Sequence, residues 1–107
     1  MEISAPDLTR LIKAHAGTVQ LIDCREPEEW HQCRINGAEL IPLSQFAQLT
    51  EHWDSSDKRK KIIYCHHGIR SLQATRFLRN RGFENTYSLR GGIDAWSVEV
   101  DPAIPRY

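Results

Sequence analysis

The chain has 107 residues, a length that suits one domain built around a single sheet and leaves little room for a second. Its 14 basic and 14 acidic side chains give a formal net charge of +0, so no overall field attracts nucleic acid or an anionic membrane. No apolar stretch approaches the ~20 residues needed to cross a bilayer, and the first residues lack the pattern of an export signal, so we expect a cytoplasmic protein.

The predicted elements alternate between helix and strand along the chain. Ser4 and Pro6 are typical of the start of a helix, Gly17 is typical of its end, and the first apolar β-type run ends at Asp23. The elements that follow are a brief helix over 28–32, a strand over 39–41, short helices over 44–53, a polar loop over 54–61, a strand from 62, a helix from near 71 to 82, a strand over 86–89 and a short helix over 93–96.

This alternation predicts an α/β fold with a mostly parallel central sheet of about five strands and helices on both faces. In such a sheet, ligands bind beyond the carboxyl ends of the strands. Cys65 directly follows the apolar run 62–64. The sequence therefore places this thiol where a ligand is expected.

Cys65 opens a short loop, Cys-His-His-Gly-Ile-Arg-Ser, between the predicted strand and the next helix. A loop of this kind points backbone N–H groups inward, and the start of the helix adds positive potential, so an anion at its centre is stabilised. A free thiol has a pKa of about 8.5, which falls to roughly 3.5–7.5 beside a helix N-terminus or a cation such as Arg70. We interpret Cys65 as a reactive thiolate that is open to solvent, rather than as a cysteine buried as a small hydrophobic side chain.

The other cysteines and the histidines favour neither a metal site nor a disulfide framework. Cys24, Cys33 and Cys65 are an odd set without a C-x-x-C pair, which argues against both. We expect Cys24 to be packed in the core. Cys33 is either structural or a resolving thiol that approaches Cys65, and the structural interpretation is favoured. His66 and His67 are expected to point to opposite sides of the backbone, and no metal or cofactor is expected.

Five motifs follow one another over nearly the whole chain in the order of a known family. They are Asp23-Cys24-Arg25-Glu26-Pro27-Glu28-Glu29-Trp30, Ile35-Asn36-Gly37-Ala38, Ile41-Pro42-Leu43, Tyr64-Cys65 with Gly68, Arg70 and Ser71, and a closing set of Gly82-Phe83, Leu89, Gly91-Gly92-Ile93 and Trp96. Together they resemble the rhodanese family. The active loop and the tail 100–107 look like the rhodanese domains that are fused to adenylyltransferases of ubiquitin-like sulfur carriers. The resemblance implies one rhodanese-like domain over residues 1–107.

The resemblance also implies a rhodanese-type sulfurtransferase. In such an enzyme Cys65 holds a sulfane sulfur as a persulfide, which it takes from thiosulfate or a persulfide donor and passes to a thiol, cyanide or a protein sulfur carrier. Asp23 and Arg25 correspond to framework residues that support the site, and Arg70 is expected to favour anionic substrates. The substrate cradle implied by the resemblance comprises the amides of His66, His67, Gly68, Ile69, Arg70 and Ser71. The segment 33–37 departs from the family's usual Gly-His-Ile-Pro-Gly, which leaves the preferred donor and acceptor open.

Two other functions stay open at this point. Cysteine-dependent phosphatases and arsenate reductases also surround an anion with amides and an arginine, but they use C-x5-R, whereas Cys65 and Arg70 are spaced C-x4-R and form a smaller loop. The domain is alternatively a non-catalytic or relay module in sulfur trafficking. The expected partners are a small-molecule or persulfide sulfur donor and a protein sulfur acceptor, without nucleic acid or membrane. The expected state is a monomer or a weak oligomer.

Overall fold

A parallel five-stranded sheet forms the centre of the protein, and the computed structural model describes residues 1–107. The strands are β1 (Glu2–Ile3), β2 (Val19–Asp23), β3 (Glu39–Leu40), β4 (Lys60–Tyr64) and β5 (Thr86–Leu89). They lie in the order β1-β5-β4-β2-β3, and every pairing is parallel. The predicted α/β fold with a mostly parallel sheet is confirmed.

Helices cover both faces of the sheet. They are α1 (Ala5–His15), α2 (Pro27–Gln32), α3 (Phe46–Leu49), α4 (Ile69–Asn80) and α5 (Gly92–Glu99), with 3₁₀ turns over Ala16–Thr18 and Leu43–Gln45. Ser4 caps α1 as predicted, because its Oγ accepts a hydrogen bond from the Asp7 N–H at 3.2 Å. None of these helices is both long and apolar enough to cross a membrane.

The alternation of side chains along β2 and β4 decides which residues share a face. Ile62 and Tyr64 pack in one apolar cluster with α1 and α5, whereas Ile22 and Ile63 pack in a second cluster with α3 and α4. In the register of the two strands, Ile22 lies opposite Ile63 and Asp23 lies opposite Tyr64. The chain segments that follow β2 and β4 therefore leave the sheet side by side.

Some local predictions are wrong at the level of single residues. The strand β1 was missed, because two residues are too few to show an alternating pattern. The polar loop predicted over 54–61 extends too far, because β4 already begins at Lys60. Lys61 is buried, and its Nζ donates to Gln20 Oε1 at 3.0 Å and to Asp57 Oδ2 at 3.3 Å. The helix expected from near Ser71 begins at Ile69.

The start of α5 packs against the carboxyl end of β4. The Ile93 N–H donates to the Cys65 carbonyl oxygen at 2.9 Å, and the Asp94 N–H donates to the His66 carbonyl oxygen at 3.2 Å. A Cβ on Gly92 would lie 2.4 Å from the His66 oxygen and 2.5 Å from the Cys65 oxygen. The free N–H groups of this helix start thus hold the backbone of the Cys65 loop, and only glycine leaves room for the contact.

We expect Gly92→Ala to lower the free energy of unfolding by more than ~2 kcal/mol, because the new methyl group overlaps two carbonyl oxygens at a φ of 62°. Gly17→Ala is the matched control, since nothing lies within 4 Å of its Cβ position, and it should change stability by less than ~0.5 kcal/mol. Chemical denaturation measures both variants. Equal stability of the two would contradict the tight contact at Gly92.

Candidate active site

The Cys65 sulfur lies inside the loop that joins β4 to α4. The Gly68 N–H donates to Sγ at 3.0 Å, the Ser71 N–H donates at 3.4 Å, and Ser71 Oγ also lies 3.4 Å from the sulfur. Ser71 Oγ is positioned in turn by Ser88 Oγ of β5, at 2.7 Å. Of the six amides that the resemblance implies for the cradle, only those of Gly68 and Ser71 donate to the sulfur. The amides of His66, His67, Ile69 and Arg70 form no hydrogen bond with it.

Gly68 makes the tight loop geometry accessible. Its φ is 107°, a region that favours glycine, and a Cβ there would lie 3.3 Å from Gly91 N and 3.5 Å from Leu89 O. This turn brings the N–H of residue 68 back onto Cys65. It also starts α4 at Ile69, so that an unpaired N–H of the first helical turn, that of Ser71, faces the sulfur.

Hydrogen bonding lowers the pKa of Cys65 to about 4. The largest cause is the interaction with the Cys24 thiol; burial opposes the shift, and donation from Ser71 and Gly68 adds to it. The pKa of Cys24 moves upward, chiefly through the same interaction with Cys65. The negative charge of this coupled pair belongs on Cys65, because only Cys65 accepts the two backbone N–H groups. Cys65 is therefore a thiolate at neutral pH.

Cys65 is only 1% exposed, so the expectation of a thiol open to solvent is wrong for this conformation. The cause is strand alternation. Cys65 follows Ile63 by two residues and points to the same face, where it packs among the apolar side chains of α4 that include Ala74 and Leu78. A substrate reaches this sulfur only when groups around the loop move apart.

Arg70 in the first turn of α4 forms a bidentate ion pair with Glu29 of α2. Its Nη1 donates to Glu29 Oε1 at 2.6 Å and its Nη2 donates to Oε2 at 2.9 Å, and this pairing lowers the pKa of Glu29 to about 2. Tyr107 Oη donates to the same carboxylate at 2.6 Å. The charge of Cys65 still acts on Arg70, but Arg70 is not among the main causes that lower the Cys65 pKa.

Asp23 and Arg25 form a buried ion pair beside the site. Arg25 Nη2 donates to Asp23 Oδ2 at 2.7 Å, and the Arg25 backbone N–H donates to Oδ1 at 2.9 Å. The guanidinium also donates to the Cys33 carbonyl oxygen at 2.6 Å and to Tyr107 Oη at 2.8 Å. Neither side chain hydrogen-bonds the Cys65 sulfur, and the pair links three separate segments, which suits the framework role expected of it.

His66 and His67 do not point to opposite sides as expected. Their rings stack with centroids 3.9 Å apart, because the backbone bends at residues 66–68 instead of running extended. The other side of the His66 ring stacks on Tyr107, also at 3.9 Å. Burial lowers the pKa of His66, and its Nε2 is buried without a hydrogen-bond partner, whereas His67 is exposed.

Sequence reasoning assigned no role at this site to four of its residues, Cys24, Glu29, Ser88 and Tyr107. Cys24 is packed as predicted, but it packs with Cys65 in the same cluster. The signal was present, since Cys24 follows β2 as Cys65 follows β4. Cys33 instead contacts the Pro105 carbonyl oxygen at 3.7 Å and packs against the cluster of the opposite face, so it is not placed to resolve Cys65.

We expect the rate of Cys65 alkylation by iodoacetamide to titrate with a midpoint near pH 4, because only the thiolate reacts. Mass spectrometry of the labelled peptide measures the rate, and the urea-unfolded protein is the control, with a midpoint of about 8.5. Since folding depresses this pKa, the ionised thiol stabilises the fold above the unfolded pKa, and this contribution is lost as the pH falls toward 4. A folded-state midpoint at the unfolded value would exclude the stabilised thiolate.

Known proteins match this chain over most of its length. The rhodanese-like domain profile matches residues 4–99. The rhodanese-like/PpiC domain-containing protein 12 of Arabidopsis thaliana chloroplasts is 38% identical over 90 residues, which are 82% of this chain and 30% of that protein. The thiosulfate sulfurtransferase GlpE of Shewanella oneidensis is 33% identical over 81 residues, which are 76% of this chain and 78% of that protein. The chain thus spans less than a third of the plant protein and most of the bacterial one.

Solved structures match the whole fold. A rhodanese-related protein from Thermoplasma volcanium superposes with a TM-score of 0.81 at 30% identity, covering 99% of this chain and 98% of that one. The human single domain sulfurtransferase superposes with a TM-score of 0.76 at 27% identity, covering 92% of this chain and 96% of that one. With the profile match and the sequence identities, these likenesses show that the chain belongs to the family of rhodanese-like domains.

Proposed function

We propose that the protein is a sulfurtransferase in which Cys65 carries a sulfane sulfur as a persulfide. The observation that carries the proposal is the state of its sulfur, which accepts hydrogen bonds from the Gly68 and Ser71 N–H groups and has its pKa lowered to about 4. Relatives named thiosulfate sulfurtransferase support the same chemistry. The donor proposed is thiosulfate or a persulfide, and the acceptor is a thiol, cyanide or a protein sulfur carrier.

The reaction takes place in two half-reactions. The Cys65 thiolate attacks the outer sulfur of thiosulfate, a new S–S bond forms, and the old S–S bond breaks with its electron pair leaving on sulfite. An acceptor nucleophile then attacks the outer sulfur of the persulfide, and Cys65 leaves as a thiolate. The first step transfers no proton, so it needs no general base, and the N–H groups of Gly68 and Ser71 stabilise the negative sulfur throughout.

In this proposal the Arg70–Glu29 ion pair, which joins α4 to α2, controls access to the buried sulfur. An anionic donor competes with the Glu29 carboxylate for the guanidinium, and it replaces charge-assisted hydrogen bonds with others of the same kind. Movement of Glu29 also breaks its hydrogen bond with Tyr107, whose ring covers His66. In this proposal the site opens transiently by itself, and a bound anionic donor stabilises the open state.

Incubation with thiosulfate followed by intact-mass measurement tests the function. Wild-type protein is expected to gain the mass of one sulfur atom and to lose it to cyanide with formation of thiocyanate, whereas Cys65→Ser is expected to gain nothing. The serine variant is the matched control, because serine is similar to cysteine in size and lacks only the nucleophilic sulfur. Wild-type protein that takes up no sulfur from thiosulfate or from a persulfide donor would end the proposal.

Two variants at the ion pair are expected to act in opposite directions. Arg70→Ala should raise the KM for thiosulfate by at least about tenfold, the value of a hydrogen bond to a charged group. Glu29→Gln should lower this KM, because it weakens the competitor for Arg70, and glutamine preserves the capping box with Glu26.

Steady-state kinetics with cyanide as the acceptor measure both KM values. Arg76→Ala is the matched control, since Arg76 is an exposed arginine of the same helix, and its KM should equal that of the wild type. A higher KM in Glu29→Gln would refute the competition between the carboxylate and the donor.

A further inference from the structure

A second thiol, that of Cys24, lies beside the Cys65 sulfur. The two cysteines are one residue beyond the paired positions Asp23 and Tyr64 of β2 and β4. The Cys24 N–H donates to the Tyr64 carbonyl oxygen at 3.0 Å, so the parallel pairing continues to Cys24. Neighbouring strands lie about 4.7–4.9 Å apart, and both side chains point into the cluster of α3 and α4. The register therefore makes Cys24 and Cys65 neighbours on one face of the sheet.

The two sulfur atoms differ in what surrounds them. The backbone N–H groups of Gly68 and Ser71 donate to Cys65, whereas no backbone N–H donates to the sulfur of Cys24, which is fully buried. Of the charged groups that act on Cys24, Cys65 and Asp23 raise its pKa and Arg70 lowers it. A buried thiol without donors retains its proton. Beside a thiolate, that proton has an anionic sulfur as its acceptor.

We propose that Cys24 is a second catalytic residue, whose S–H donates a hydrogen bond to the Cys65 sulfur and stabilises it as a thiolate. The N–H donors of Gly68 and Ser71 approach the sulfur from the loop, and the Cys24 side chain adjoins it from the sheet. A thiol is a weak donor, but burial and the charge of the acceptor strengthen the bond.

The opposite displacements of the two pKa values agree with a proton that stays on Cys24. The same donor stabilises Cys65 when it leaves as a thiolate in the second half-reaction. That catalytic consequence rests on the proposed function, whereas the effect of Cys24 on the ionisation of Cys65 does not.

The pH dependence of Cys65 alkylation in a set of matched variants tests the inference. Cys24→Ala removes the donor, Cys24→Val removes it while filling the space, and Cys24→Ser replaces it with a hydroxyl donor. Cys33→Ala is the control, because it deletes a thiol that packs against the opposite face. We expect the midpoint to rise by about one pH unit in the alanine and valine variants, as for one lost hydrogen bond to a charged group. The serine and Cys33 variants should titrate as the wild type does.

The outcomes separate this inference from the proposed function. Circular dichroism shows which of the variants Cys24→Ala and Cys24→Val are folded. A folded variant of these two whose alkylation midpoint equals that of the wild type overturns the inference. A Cys24→Ser variant whose midpoint shifts as far as that of Cys24→Ala also overturns it. Alkylation needs no sulfur donor. Wild-type protein that takes up no sulfur, in a set of variants that show the expected shift, would therefore refute the sulfurtransferase and support the role of Cys24.

Discussion

A negative charge on the Cys65 sulfur is the constraint around which this end of the protein is built. The start of α4 directs the N–H groups of Gly68 and Ser71 at the sulfur itself. The start of α5 binds the carbonyl oxygens of Cys65 and His66, on the backbone of the same loop. Two helix N-termini thus meet at one loop, where their positive ends favour an anion. Glycine at 68 and 92 is what allows both approaches.

The charged side chains nearby are arranged in neutral pairs. Arg25 is bound by Asp23, Arg70 is bound by Glu29, and Tyr107 bridges the two pairs through its hydroxyl group. Each cation therefore has its own carboxylate, and neither is the main source of the low Cys65 pKa. Backbone dipoles and the neighbouring thiol supply that stabilisation, and the two arginines join separate segments of the chain around the site.

Local patterns in the sequence were sufficient for four of the five strands and for the position of the thiol loop. The apolar runs, the helix cap at Ser4 and the glycine after the two histidines each depend only on residues that are close in sequence. The contacts that were missed join distant parts of the chain: Arg70 meets Glu29 across 41 positions and Tyr107 meets Arg25 across 82. The periodicity of apolar residues reports only local structure, so it does not predict such long-range contacts. Unlike these contacts, the burial of Cys65 was predictable from the sequence, because Cys65 follows Ile63 by two residues and therefore points to the same covered face of the sheet.

The parallel register of β2 and β4 also restricts how the length of this chain can vary. One residue inserted within β2 would move the following side chains to the opposite face and bring the Asp23 carboxylate to the place beside Cys65 that Cys24 now occupies. An acidic group there would repel the thiolate and raise its proton affinity. Insertions are therefore better tolerated in the connection between β3 and β4, where the exposed residues 54–56 belong to no strand or helix.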